Sequence, residues 1–226
     1  MLGQSMPASF AFQSTINMKN TYSNFVKALV LSLIVLVALH PAKTLAQSSY
    51  TILSDKNTTI RVSGKSNVHD WSLASATMES RGQFNFDLHD KLNALNGFTF
   101  NVATKSLKSG KSMLDNRTYK AMKAEEFPRI YYKLATAVIS PGQKNTYLLK
   151  STGDLTIAGV VQRISMDLTV VINADNTLTC AGTKNIKLTD YKISPPSYML
   201  GAMKVYNDIV ISFSLQYKKT NLLTAK

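Results

Sequence analysis

The chain lacks most of what a small catalytic domain uses. It has one cysteine, Cys180, so no intramolecular disulfide can form and a cysteine-built metal site is excluded. It has one tryptophan, Trp71, and three histidines, His40, His69 and His89, none in a His-Glu-x-x-His pair. No Gly-x-Ser-x-Gly elbow occurs, and Lys108-Ser-Gly-Lys111 lacks the spacing of a phosphate loop. Glu125 and Glu126 are neighbours that point in different directions, a poor acid/base pair. No run of five or six like charges appears, so the net charge of +13 is spread over the chain and does not imply nucleic-acid binding. These absences lead us to expect a protein that is not an enzyme and uses no metal.

Continuous apolar runs are also scarce. Residues 28–39, ALVLSLIVLVAL, form the single one, with Lys27 before it and the small residues of Thr44-Leu-Ala46 after it. That layout reads as a secretory leader. The run is shorter than the roughly 20 residues that a membrane-spanning helix needs. We expect residues 1–46 to be an N-terminal extension and cleaved signal, with translation starting at Met18 and cleavage between Ala46 and Gln47. Residues 47–220 would form one domain and 221–226 a tail. The working protein would be exported, periplasmic or secreted, with no stable membrane insertion. Removing Lys19, Lys27 and Lys43 with the leader leaves 23 basic against 13 acidic residues.

What is abundant is alternation with a period of two. Phe84, Phe86 and Leu88 alternate with polar residues, as do Phe98, Phe100 and Val102. Ile130, Tyr132, Leu134 and Val138 repeat the pattern, and so does the run from Ile164 through Met166 and Leu168 to Ile172. Ile209, Ile211, Phe213, Leu215 and Tyr217 close the chain in the same way. Asn96-Gly97, Pro141-Gly142, Ala158-Gly159 and Asp175-Asn176 read as turns. One apolar face per long strand predicts an antiparallel sheet, and closure removes its edges. The fold class is therefore all-β with one short helix, a closed up-and-down antiparallel β-barrel of about eight strands.

The helix is read from Ser112, as N-cap of a capping box with Asp115, to the turn before Pro128. Cys180 shares strand parity with Leu178 and Gly182 and is expected to be a buried thiol. His69-Asp70-Trp71 reads as a turn that pins the tryptophan into the barrel. The interior has two readings that composition does not separate: a filled core, or a cavity for an apolar chain.

The order of several short motifs resembles the YceI family of secreted lipid-binding proteins. They are Tyr50-Thr-Ile, Ser66-Asn-Val-His69-Asp-Trp71, Gly82-Gln-Phe84, Leu107-Lys-Ser-Gly110 through Asp115, Glu126-Phe-Pro128-Arg-Ile130, and Gly153-Asp-Leu-Thr-Ile157-Ala-Gly159-Val160. The chain departs at Asp115-Asn-Arg117-Thr-Tyr119, where many members carry Arg-Asp and a histidine, and at Tyr206-Asn-Asp208, where a Gly-Asp is usual. The resemblance implies a lipocalin-like barrel with an apolar tunnel that sequesters or carries an isoprenoid or fatty-acyl-type lipid. It implies no cofactor beyond that non-covalently bound lipid. Alternation and resemblance together nominate Phe84, Phe98, Phe100, Tyr132, Leu134, Ile164, Met166 and Phe213 as tail contacts. Leu114, Met122 and Phe127 would close one end, and His69 and Trp71 would form a head-group mouth at the other. The partner would be the lipid, with no nucleic acid, and the protein a monomer or homodimer. The alternative is a structural or stress-related envelope barrel with a filled core and a protein partner.

Overall fold

The computed structural model describes residues 48–220. The apolar run, the Ala46–Gln47 cleavage point and the 221–226 tail lie outside the described residues. In chain order the strands are β1 (Ser48–Ile52), β2 (Thr59–Ser66), β3 (Asp70–Ser75), β4 (Met78–Phe86) and β5 (Leu92–Ala103). The helix α1 (Ser112–Ala121) follows, then β6 (Arg129–Pro141), β7 (Thr146–Ile157), β8 (Val160–Ile172), β9 (Leu178–Lys187), β10 (Ser197–Tyr198) and β11 (Met203–Lys219). The sheet runs β1-β4-β5-β6-β7-β8-β9-β11, and β11 pairs back to β1. That is a closed antiparallel barrel of eight strands with one helix, as the alternation predicts. β2 and β3 extend the wall: β2 pairs with β11 above β1, and β3 pairs with β2. An Ala74–Lys108 bridge then ties β3 to the segment leading into α1.

Closure gives the barrel two unlike ends. The turns at Asp87–Lys91, Gly142–Asn145 and Asn173–Thr177 lie at the lower end. The helix, the β2–β3 turn and the loops after β9 lie at the upper end. Aromatic side chains fill the lower end. Phe84 lies edge-on to Tyr50 at 5.3 Å between ring centres and against Tyr217 at 5.8 Å, and Phe98 meets Tyr217 at 5.9 Å. The Tyr217 and Ser80 hydroxyls share a 2.8 Å hydrogen bond, and Ser80 Oγ also reaches the Thr99 carbonyl at 2.7 Å. Removing these rings from water and satisfying the buried hydroxyl makes this end a solid floor.

The structure corrects four local expectations. Asn96-Gly97 is not a turn: both residues lie within β5, where the pairing with β4 slips between Arg81 and Gln83 and Gly97 takes φ +56°. An extra residue in a strand produces such a bulge, and glycine takes the left-handed conformation at no steric cost. A second bulge follows Leu134 in β6. It moves Ala137 and Ile139 to the inner face and leaves Val138 63% exposed. Leu88 lies beyond the end of β4, in the turn, and is 76% exposed. Finally, Ser112 is not a cap. The N-cap is Lys111, which has no side-chain cap bond, and Asp115 instead accepts from the Ser109 amide at 2.8 Å and hydroxyl at 2.7 Å.

The helix also stops earlier than Pro128 requires. Lys123 takes φ +50°, the Ala124 amide donates to the Tyr119 carbonyl at 2.9 Å, and the Lys123 amide donates to Lys120 at 3.1 Å. This pair of bonds around a left-handed residue is a Schellman ending, with lysine where glycine is usual.

Candidate functional site

Between the aromatic floor and α1 the barrel is not filled. A cavity of about 190 Å³ occupies its upper part, lined almost wholly by apolar atoms. By comparison, an apolar void of about 150 Å³ suffices to hold a benzene molecule. The inward faces of β5, β6 and β8 supply Phe98, Phe100, Tyr132, Leu134, Ile164 and Met166. Phe213 comes from β11, and α1 with its ending contributes Leu114 and Met122. Trp71 reaches in from β3, its ring lying over Gly64, where an added Cβ would sit 2.3 Å from the indole. The Tyr132 hydroxyl is satisfied: it donates to Ser151 Oγ, and Ser151 to the Met166 carbonyl at 3.2 Å. Burial raises the Tyr132 hydroxyl above its ordinary range and keeps it protonated.

Three nominated residues stand elsewhere. Phe84 is fully buried in the floor, because β4 has descended to the lower end when it reaches this position. Phe127 lays its ring on Gly159, 2.4 Å from where a Cβ would be, and so packs on the β7–β8 hairpin. His69 is exposed in the β2–β3 turn, where Ser66 Oγ accepts from its amide at 3.1 Å and donates to its carbonyl at 2.8 Å. Trp71 lines the cavity together with the helix residues Leu114 and Met122, not at an opposite end; among the described residues that end holds the aromatic floor.

Sequence reasoning missed three polar contributors to the rim. Arg117 of α1 and Lys184 of β9 both line the cavity and are half-buried. The Arg117 guanidinium lies 4.0 Å from the centre of the Tyr198 ring. Tyr191, in the loop after β9, also faces the cavity, and its hydroxyl is buried without a hydrogen-bond partner. The indole Nε1 of Trp71, which the sequence already nominates for the head-group mouth, is likewise buried and unpartnered. Lys184 carried a legible signal, since it interrupts the inward series Leu178, Cys180, Gly182 and Ile186. Tyr191 follows a strand end and carried none.

The wall itself parts beside Lys184. β8 and β9 pair only from Leu168–Gly182 to Ile172–Leu178, so residues 160–167 and 183–187 have no ladder between them. Two side chains bridge the interval: Lys184 Nζ donates to the Ser165 carbonyl at 2.8 Å and Gln162 Nε2 to the Asp190 carbonyl at 2.7 Å. Among the described residues no group of three or more His, Cys, Asp or Glu is placed to hold a metal ion.

Residues 50–217 match the family model for the YceI-like domain, nearly the whole barrel. The chain belongs to the YceI-like family. The fold makes physical sense of the most specific YceI-like stretch, Gly153 to Val160. Ala158 and Gly159 have φ +47° and +77° and form a two-residue hairpin turn whose twist matches its strands. Gly159 also leaves room for Phe127. Two solved structures are similar to this YceI-like chain. BcnA of Burkholderia cenocepacia is 21% identical over 73% of this chain and 98% of its own, with a TM-score of 0.57. A polyisoprenoid-binding domain from Saccharophagus degradans, implicated in plant cell wall breakdown, is 12% identical over 76% and 98%, with a TM-score of 0.56. At these identities the likeness is one of fold. No curated protein matches the sequence.

Proposed function

We propose that this protein is an exported carrier that holds an isoprenoid or fatty-acyl-type lipid in its barrel, with no catalytic step and no cofactor. One observation carries the reading: a closed-floored apolar cavity of about 190 Å³ in a barrel of this size. A void of that volume costs on the order of 5 kcal/mol if left empty, at about 24 cal/mol per Å³. That is comparable with the roughly 5–15 kcal/mol by which domains are stable at all. A lipid tail offsets the cost, since each buried methylene contributes about 0.8 kcal/mol. Family membership supports the same reading, and the Saccharophagus domain of similar fold is described as polyisoprenoid-binding. The cavity weighs against the filled-core envelope barrel. Export rests on the leader-like residues 28–39, and placement in the periplasm or medium follows from them.

Native mass spectrometry of protein purified from the producing cell tests the proposal. The expected result is a population heavier than the bare chain by the mass of one lipid, lost on organic extraction and restored by a prenyl or fatty-acyl lipid. A single ligand-free species that takes up neither class sinks it.

A further inference from the structure

We infer that the rim of the cavity takes an acidic head group, a carboxylate or a phosphate ester, on a single-chain lipid whose tail lies below it. This rests on the lipid-carrier reading and adds the chemistry of the other end of the ligand. The cavity lining includes two cations, Arg117 and Lys184, and no aspartate or glutamate. Neither cation is in an ion pair among the described residues, whose pairs are Lys105–Glu125, Arg129–Glu79 and Arg163–Asp154. Arg117 has the face of Tyr198, and Lys184 has a backbone carbonyl. Two further lining residues each carry an orphaned polar group, the Trp71 indole N–H and the Tyr191 hydroxyl.

Their chemistry is one-sided. Indole, guanidinium and ammonium groups donate and do not accept; the tyrosine hydroxyl can do both. A ligand that satisfies them must bring acceptor oxygens. A buried polar group without a partner is costly, and partly buried cations without a counter-charge more so. A fatty alcohol or prenol brings one oxygen and no charge. A carboxylate or phosphate brings several oxygens and the missing negative charge, and its hydrogen bonds to cations are stronger than neutral ones.

Register brings these groups to one level of the barrel. Trp71 stands opposite Gly64, Gly64 opposite Ile209, and Ile209 opposite Ile186, one inward position from Lys184. Three strand spacings separate the β3 and β9 backbones, roughly 14 Å along the wall. From there the Lys184 ammonium leans toward β8, where it meets the Ser165 carbonyl. Arg117 enters from the helix above, and Tyr191 from the loop that continues β9. Burial, with a smaller contribution from Asp190, pushes the Tyr191 hydroxyl up to about 12, so it keeps its proton to donate. The Asp190 side chain is exposed while Tyr191 is buried, and it is not among the lining residues.

The test uses the chain from Gln47 to Lys226, which contains every strand of the closed barrel, stripped of lipid and titrated with four probes: palmitate, hexadecanol, geranylgeranyl phosphate and geranylgeraniol. Trp71 is the only tryptophan, so its fluorescence reports the rim directly. At least one acid is expected to bind about thirtyfold or more tightly than its own alcohol, the worth of one to two charged hydrogen bonds. Which acid shows the preference identifies the source of the head group. In the Arg117→Gln/Lys184→Gln double variant the preference should fall to about threefold or less. Tyr191→Phe, which removes one oxygen and keeps the ring, should weaken acid binding about tenfold. Near-ultraviolet circular dichroism of Trp71 checks that the variants are folded. Equal binding of each acid and its alcohol, or a preference that survives the double variant, overturns the inference while leaving the carrier reading intact. Binding of none of the four probes overturns both.

Discussion

Burial alone pushes the Cys180 thiol up to about 12, and no second cysteine is available to it. A thiolate is the reactive form, so the native protein should resist alkylation at pH 8 at a rate set by unfolding. Labelling with iodoacetamide, followed by mass, should therefore track the fraction unfolded in urea. Fast labelling in buffer would contradict the buried placement. Lys123 offers a second test on a single side chain. It occupies the left-handed position of the helix ending, where a side chain costs about 1 kcal/mol relative to glycine. Lys123→Gly should raise stability by about 0.5–1 kcal/mol in urea denaturation, since its exposed side chain makes no hydrogen bond or ion pair among the described residues. Neither feature was equally legible beforehand. The parity of Cys180 with Leu178 predicted its burial. The left-handed lysine could not be read, because a Schellman ending is recognised in sequence by the glycine that this chain omits.

The elements show the same division between local pattern and partner-dependent detail. Alternation identified most of the long strands because each has one face to bury, whatever its neighbour. Bulges depend on which residue of the adjacent strand is opposite, and so Val138 and Asn96-Gly97 were misplaced. The lead into α1 was found by spacing but assigned the wrong bonds. Burial raises the Asp115 carboxyl, but the two Ser109 hydrogen bonds and the charge of Lys108 outweigh it, and its pKa falls below the ordinary 3.8. The stability this provides is complete above the ordinary carboxylate range and is lost as pH falls through the depressed value. Asp115→Asn should cost about 1–3 kcal/mol at pH 7, and the gap from the parent should narrow below about pH 4, where the parent loses its advantage. Urea midpoints measured across pH check this; a constant gap down to pH 2 would refute it. The parting of β8 from β9 makes a separate prediction at this scale. Amides of residues 160–167 that do not face β7, and those of 183–187 that do not face β11, should exchange hydrogen faster than the paired amides of 168–172. Uniform protection along β8 would mean that the ladder continues.

On the scale of the whole molecule, the cavity and the stability of the barrel oppose one another. The floor of Phe84, Tyr50 and Tyr217 is packed as a core should be, and the space above it is not. A protein selected for stability alone would fill that space, since cavity-filling changes commonly gain about 0.5–2 kcal/mol. Met166 is the position to test: it faces the cavity from the middle of β8 and its thioether has room to be replaced by something larger. Met166→Trp should leave the empty protein as stable as the parent or up to about 2 kcal/mol more stable. The same change should weaken binding of a prenyl or fatty-acyl lipid by tenfold or more, because the indole takes the volume that several methylenes would occupy, at about 0.8 kcal/mol each. The two measurements discriminate between readings of the barrel. A filled-core scaffold has no room for the larger ring and would lose about 1–3 kcal/mol to overpacking. Opposite signs for stability and binding are what a barrel built around a removable tail must show.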